Sequence, residues 1–340
     1  MDMLSPPVRL GLAGTGLHGI RYAKHIARDV SEARLVAITR RDREAGRAQA
    51  EELGCAYEPG LDELLRRPDI DALVVATPPS AHLGAALAAL AAQKPVLVEK
   101  PMVASVREAE ELRQAVARAG RPLMVAQTLR YSAVLATIRQ RLPELGRVVH
   151  VRMAQRLEPS PLAWQRAHQA AGAGSILLTG VHLFDAVRWL FDDEVEEVFC
   201  RARRVQNPSH EDFFAASAVL ARTRIHADLE VSKYSHSRSC HIDVVGEAGQ
   251  FLGDYWNHRL CLVSGREERP EPLPPEVYTV EAAVRDFCRR LIEGQDLPIT
   301  VLDGLRTLEI AEACTASART GSAITLAVPA AAPAPGARTG

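Results

Sequence analysis

Three clusters of residues have the types and the spacing to carry chemistry. The segment VRLGLAGTGLHGI sets Gly14, Gly16 and Gly19 in the pattern G-x-G-x-x-G, with Thr15, Leu17 and His18 between them. Directly after a strand and at the opening of a helix, Gly14 allows a tight turn and Gly16 lets the backbone approach a pyrophosphate. Gly19 permits close helix packing while free helix N–H groups bind the phosphates. The run KPVLVEKP ends a strand on Glu99, Lys100 and Pro101, at the sheet edge where ligands of open α/β folds sit. Removing hydride from a carbinol carbon requires a base for the hydroxyl proton, and a lysine lowered from about 10.4 toward 7–8 can serve. The positive charge of an oxidised nicotinamide itself lowers such a lysine. An isolated lysine is ordinarily a surface charge, and its place at a strand end is what singles Lys100 out. The third cluster lies in GAGSILLTGVHLFDAVRWL, where His182 and Asp185 are three residues apart and share a helix face.

The cofactor-selecting position falls about 20 residues past the glycines, where an acid bonds the ribose hydroxyls of NAD. Thr39, Arg40 and Arg41 stand there instead. Two guanidinium forks and a hydroxyl suit a 2′-phosphate, which favours NADP. Asp42 leaves NAD use open, and Arg40 and Arg41 can also be read with Arg43 and Arg47 as a solvated basic stretch.

These groups need a frame to hold them. Apolar runs at Val8–Ala13, Arg34–Thr39, Ala72–Ala76, Val96–Glu99 and Leu123–Ala126 read as strands covered on both faces. They alternate with helical spacing over Leu17–Arg28, Asp42–Leu53, Leu61–Arg66, Ser80–Ala92 and Ser105–Ala119, with Ser80 and Ser105 as N-caps and Gly120 as a stop. The first half is therefore a doubly wound α/β unit with a parallel sheet. After a helix from Tyr131 to about Arg141, Arg147–Gln155 opens a second unit. The helix Ser175–Phe191 follows, and then consecutive strands at Val195–Gln206, Asp212–Ala221, Arg224–Lys233, Cys240–Gly246 and Arg259–Val263, which suit a mostly antiparallel open sheet. Helices Tyr278–Glu293 and Val301–Thr320 close the chain, giving a second, α+β domain. We expect domains over 1–126 and 127–328, and a disordered tail over 329–340 of Ala, Pro and Gly.

The 340 residues make room for about two domains. Lys+Arg 41 against Asp+Glu 42 leaves no field to draw in a nucleic acid or an anionic membrane. The most apolar stretch, Gly84–Ala92, falls far short of the roughly 18 residues that span a bilayer. MDMLSPPVRL does not read as a signal peptide, so the cytoplasm is expected. Cys55, Cys200, Cys240, Cys261, Cys288 and Cys314 form no C-x-x-C pair and read as reduced thiols. Neither H-x-x-x-H nor a mixed Cys/His cluster occurs, so no metal is expected, and G-x-S-x-G is absent.

With VVATPPSAH at Val74–His82, E-K-P at Glu99–Pro101 and G-V-H at Gly180–His182, the chain from Val8 to about Val328 resembles the Gfo/Idh/MocA oxidoreductase family. The resemblance implies an N-terminal Rossmann domain and a C-terminal domain whose open sheet often forms homodimers or homotetramers. It implies hydride exchange between nicotinamide and a sugar, polyol or related carbonyl compound. Lys100 matches the catalytic lysine and His182 its partner. Ala76, Thr77, Pro78, Pro79 and His82 match a second cofactor loop, with Glu99 and Gln127 beside the nicotinamide; Pro101 matches a proline often preceded by a cis bond. Arg130 and Tyr131 resemble the substrate-side pair, and Trp164 and Arg166 resemble a Trp-Arg lead-in to the glycine turn.

One position departs from the resemblance: Leu178 stands where relatives commonly carry an acid, with Thr179 beside it as a partial replacement. That departure suggests a substrate end unlike that of a myo-inositol-like polyol. It permits a non-catalytic NADP-sensing regulator, while the family resemblance itself leaves open an NAD-dependent glycoside hydrolase. His236, Arg238, His241 and the pair Lys233–Tyr234 read as solvated strand ends that could also line the cleft.

Overall fold

The computed structural model describes residues 3–159 and 174–328. Trp164, Arg166 and the expected tail over 329–340 lie outside the described residues. Six strands, β1 (Val8–Ala13), β2 (Ala33–Thr39), β3 (Ala56–Glu58), β4 (Ala72–Val75), β5 (Val96–Glu99) and β6 (Leu123–Ala126), form a sheet in the order β3-β2-β1-β4-β5-β6. All its pairings are parallel. Helices α1 (Gly19–Arg28), α2 (Arg43–Leu53), α3 (Leu61–Arg66), α4 (His82–Ala91) and α5 (Val106–Ala119) make the crossovers. Val8, Leu10, Leu12, Val96, Leu97 and Val98 are wholly buried, as strands covered on both faces must be. β1 has β2 on one side and β4 on the other, so the chain leaves β1 and β4 in opposite directions and opens a crevice beyond their carboxyl ends.

Local signals account for most helix ends. Ser105 Oγ accepts the Glu108 N–H at 3.3 Å, and Gly120 ends α5 at φ +60°. Ser80 does not cap α4. It sits inside a 3-10 turn, Pro79–Ala81, that Pro78 and Pro79 force ahead of the helix, so Ala81 precedes α4 with no side-chain cap.

The second sheet contains β7 (Val148–Arg156), β8 (Val195–Arg203), β9 (Phe213–Leu220), β10 (His226–Ser232), β11 (Ser239–Gly246), β12 (Gly249–Asp254), β13 (Arg259–Ser264), β14 (Glu267–Pro270) and β15 (Ile324–Thr325). Its order is β14-β13-β12-β11-β7-β10-β9-β8-β15, antiparallel except between β7 and β10. That exception follows from connectivity: the hairpins β8-β9-β10 bring β10 back beside β7 after a helical crossover. The side chains alternate, with Phe214, Ala216, Ala218 and Leu220 inward and Ala215 and Ser217 outward. α6 (Ala133–Arg141) and α7 (Val181–Phe191) cover the inner face.

The last two helices tie the sheets together. α8 (Thr279–Glu293) buries Val280, Val284, Phe287 and Leu291 in the core of the first sheet. α9 (Val301–Thr320) gives Leu305 and Leu308 to that core and Ile310, Ala313 and Cys314 to the core of the second. Among the described residues no helix is long and apolar enough to cross a membrane.

Candidate active site at the carboxyl edge of the parallel sheet

Beyond β1 the chain turns at Gly14, whose φ of +93° disfavours any side chain. A Cβ there would lie 2.8 Å from the Thr77 nitrogen, so this turn and the β4 loop touch backbone to backbone. A Cβ on Gly19 would fall 1.9 Å from the Gly14 carbonyl oxygen, which lets α1 start directly under the turn. Gly16 differs: a Cβ would meet nothing within 4 Å, so its backbone borders open space at the helix N-terminus. Thr15 turns inward, its Oγ1 donating to Gln49 Oε1 at 2.6 Å, and leaves only its backbone to the crevice. Leu17 projects outward with 59% of its surface exposed. At the end of β2, Thr39 is buried and its carbonyl accepts the Gly14 N–H, while Arg40 Nη1 reaches the Thr15 carbonyl at 3.3 Å and Arg41 is exposed.

Two polar atoms on the neighbouring strand ends are buried without a partner among the described residues: Thr77 Oγ1 and Gln127 Oε1. A buried polar atom left unpaired costs about 1–3 kcal/mol. With the open space at Gly16, these orphans fit a dinucleotide laid along the sheet edge. Ala76 and Pro79 are buried around Thr77. His82 is not free to touch such a ligand. It is 1% exposed, and its Nδ1 and Nε2 face the carbonyls of Pro101 at 2.9 Å and Thr77 at 2.7 Å. It is a strut that holds the Thr77 loop, with Pro78 at its entry, against the lysine loop.

Glu99 is buried and organised by three neighbours. Tyr22 Oη donates to Oε1 at 2.8 Å, the Lys100 N–H donates to Oε2 at 2.7 Å, and His18 Nε2 stands 3.5 Å from Oε1. Tyr22 lies on the buried face of α1 with Gly19, a placement legible only once the helix face is known. The Lys100–Pro101 bond is cis. Lys100 Nζ donates to the Leu178 carbonyl oxygen at 3.0 Å, across the boundary between the two sheets. Burial pushes this ammonium below the usual lysine range, with Glu99 opposing.

Leu178 belongs to a π-helical turn, Ile176–Gly180, that runs into α7. Its side chain is buried, and its carbonyl supplies an acceptor where no acid stands. Thr179 is buried beside it. His182 follows on α7, its Nδ1 buried with no partner among the described residues. Burial, and then the charges of Lys100 and His18, hold its imidazole well below the usual histidine range. Glu99 pulls His18 up most strongly, yet burial, Lys100 and Arg21 together leave it lowered.

The shared helix face of His182 and Asp185 does not bring them into a hydrogen bond. Asp185 faces away, accepting from Arg130 Nη2 at 2.6 Å and Arg130 Nε at 2.8 Å; Arg130 Nη2 also donates to Asp303 at 2.7 Å. Tyr131 Oη donates to Asp286 at 2.9 Å. Arg130, Tyr131 and Asp185 thus join the 3-10 turn after β6 to α7, α8 and α9 through side-chain pairs. The i,i+3 spacing puts both on one side of α7, and the bidentate pull of Arg130 turns the Asp185 carboxylate into the packing against the turn after β6.

Lys233 departs from the expected solvated strand end. Its ammonium is pushed down to about 8, by burial first and then by the charge of Lys100. No spacing rule marks it. Only the fold brings it within reach of the Lys100 charge.

Residues 8–127 match the family model described as oxidoreductase family, NAD-binding Rossmann fold, and residues 136–252 match the GFO/IDH/MocA C-terminal domain. The chain belongs to the Gfo/Idh/MocA oxidoreductase family. Among curated relatives, scyllo-inositol 2-dehydrogenase (NAD(+)) of Bacillus subtilis strain 168 is 26% identical, with 94% of this chain and 97% of that one covered. An oxidoreductase domain protein from Kribbella flavida superposes with a TM-score of 0.87 at 24% identity, covering 95% of this chain and 100% of that one. An oxidoreductase from Agrobacterium radiobacter, in complex with NAD+, L-tartaric acid and magnesium, gives 0.83 at 20% identity over 94% and 98%. These solved structures establish the fold of this Gfo/Idh/MocA protein, and the family establishes an oxidoreductase with an NAD-binding Rossmann unit.

Proposed function

We propose that this oxidoreductase exchanges hydride between NADP and a hydroxyl or carbonyl carbon of a sugar, polyol or related compound, with Lys100 as the proton acceptor or donor. The carrying observation is the buried Lys100 ammonium at the end of β5, held on the Leu178 carbonyl and electrostatically linked to His182. A bound nicotinamide supplies the hydride acceptor or donor. In the oxidising direction neutral Lys100 takes the hydroxyl proton, and the carbinol C–H pair leaves as hydride to give the carbonyl. His182, neutral, offers its unpaired Nδ1 to a substrate hydroxyl and fixes its direction. Glu99 sets the Lys100 backbone, while Thr77 and Gln127 turn their orphan atoms to the cofactor.

The preference for NADP over NAD rests on Arg40 and Arg41 at the end of β2. It is supported by Asp42, whose carboxylate is engaged in capping α2 on the Ala45 N–H at 3.1 Å. We assign a homodimer or homotetramer through the outer face of the nine-stranded sheet. That face sets Phe199, Phe213, Val219 and Leu252 beside ion pairs such as Arg156 with Glu230. The six unpaired cysteines suit the cytoplasm.

A panel of polyols, sugars and sugar acids with NAD+ and with NADP+, read by nicotinamide absorbance, tests the reading. Faster turnover with NADP+ is expected. Sugar release without net absorbance change would replace the assignment with glycoside hydrolysis, and tight NADPH binding with no turnover would replace it with a sensing role.

A further inference from the structure

β7 turns Val151, Met153 and Gln155 to the inner face of its sheet, with Arg152 exposed between the first two. Met153 pairs with Ile242, and Ile242 with Gly253. This row lies under the start of α6, since a Cβ on Gly253 would stand 2.9 Å from Val134 Cγ1 and 3.4 Å from Ile138 Cδ1. The chain beyond α6 reaches the other end of the strands, where Leu145 crowds Gly246. α6 therefore enters over the sheet end that holds Gln155, and the turn Thr128–Tyr131 leads into it from Gln127 at the cofactor crevice. Gln155 is the next inward position after Met153, on the side of that entry.

The Gln155 side chain is 7% exposed, and its Oε1 has no partner among the described residues. The groups beside it have no strong donor to give. Its lateral neighbours are Val231 on β10 and Cys240 on β11, an apolar side chain and a thiol, which donates weakly. Tyr255, whose N–H donates to the Cys240 carbonyl at 3.0 Å, gives its hydroxyl proton to the Ala154 carbonyl at 3.2 Å. The Leu157 N–H goes to the Ser232 carbonyl at 2.8 Å. A buried acceptor left unpaired lowers stability, and a side chain of the same length without the oxygen would not. An amide oxygen takes a hydrogen bond from a hydroxyl and repels a carboxylate, which brings only further acceptors.

We propose that Gln155 is a specificity-determining residue of the substrate site, its Oε1 accepting a hydrogen bond from a hydroxyl of a neutral polyol or sugar, remote from the carbon that exchanges hydride. Lys100 and His182 hold the reacting hydroxyl from other elements, and Gln155 selects a second hydroxyl from the sheet. This rests on the oxidoreductase reading given above and adds to it the residue that reads the far end of the substrate.

Calorimetric titration of the full chain saturated with NADPH, using D-glucitol, D-mannitol and methyl α-D-glucopyranoside as probes, tests it together with thermal melting. For the probe that the parent protein binds most tightly, Gln155→Met should weaken binding by about tenfold or more. Its melting temperature without probe should stay at or above that of the parent, because the orphaned acceptor is gone. Gln155→Glu, which keeps an acceptor oxygen, should retain most of the affinity, with NADPH affinity in each protein as the check on folding. A merely structural amide gives the reverse for Gln155→Met, a lowered melting temperature with unchanged probe affinity of the folded protein. That reverse result, or a parent protein that binds NADPH and none of the three probes, overturns the assignment to Gln155. Failure of the parent protein to bind either NADPH or NADH overturns the oxidoreductase reading beneath it.

Discussion

The Lys100 ammonium donates to the Leu178 carbonyl oxygen at 3.0 Å, joining the end of a parallel strand in one domain to a π-helical turn in the other. A main-chain acceptor holds the lysine tip without the full charge of a carboxylate, so burial outweighs the opposing charge of Glu99 and the ammonium loses its proton more readily. Lys100→Met removes the proton acceptor and keeps the length of the side chain. We expect kcat/KM to fall by about 10²–10⁴ while NAD(P)H affinity, followed by nicotinamide fluorescence, changes little. Turnover at the parent rate would remove Lys100 from the chemistry.

The same burial fixes the sign of the pH profile. Oxidation needs neutral Lys100, so its kcat/KM should rise with pH through a midpoint below the ordinary lysine value of 10.5, and reduction should fall through that midpoint. His182, held well below 6.5 by burial and then by Lys100 and His18, stays neutral and adds no limb near 6.5. Unfolded imidazole binds a proton there and the folded one does not, so stability drops as pH falls through 6.5 toward the depressed folded value. Initial rates and urea midpoints across the pH range test both. A limb near 6.5 that vanishes in His182→Asn would show that the folded imidazole does titrate there.

How much was legible depended on whether a signal is local. The glycine turn, the strand ending on Glu99–Lys100 and the caps at Ser105 and Gly120 are read from neighbours in sequence, and the fold places them accordingly. The three-residue strand Ala56–Glu58 escaped because it is too short for a periodicity, and Gly249–Asp254 because the Glu247–Ala248 connection carries no turn residue. Arg130 and Asp185 read as substrate ligands because both are polar residues near family motifs. Only the approach of α7 to the turn after β6 shows that they neutralise each other. Lys233 was hidden for the converse reason: Lys100, whose charge acts on it, is distant in sequence.

The Arg130 cluster yields a prediction of stability rather than specificity. Arg130 and Asp185 are 10% and 1% exposed, and breaking one partner of such a buried pair costs up to about 3–5 kcal/mol, because the Arg130 charge is then left buried with Asp303 alone to meet it. Asp185→Leu should lower the melting temperature markedly, and the double change Asp185→Leu with Arg130→Met should recover much of the loss. Calorimetric melting with the NAD(P)H affinity of the folded fraction distinguishes the cases. A normal melting temperature with a raised KM would return Asp185 to the substrate site.

Arg41 is exposed at the end of β2, beside Arg40, whose Nη1 is turned toward the Thr15 carbonyl. Arg41 is therefore the fork more available to a 2′-phosphate. Arg41→Ser should weaken NADPH by about tenfold and leave NADH nearly unchanged, as read by fluorescence titration. Equal losses for both cofactors would point to a general charge effect rather than recognition of the phosphate.

Gly16 and Gly19 separate binding from folding within one turn. An added Cβ at Gly19 falls 1.9 Å from the Gly14 carbonyl oxygen, a backbone atom that cannot move without displacing the contact between Gly14 and the Thr77 loop. Gly19→Ala should therefore destabilise the Rossmann unit itself. At Gly16 the Cβ enters open space, and the parent φ there is not positive, so the free protein has nothing to strain against. A pyrophosphate on the helix N-terminus needs that space. Gly16→Ala should keep its urea midpoint and lose NAD(P)H affinity by about tenfold or more, since steric exclusion acts together with the loss of close N–H contacts. A Gly16→Ala protein that binds cofactor as the parent does would move the phosphate away from this turn and detach the glycine pattern from the chemistry at Lys100.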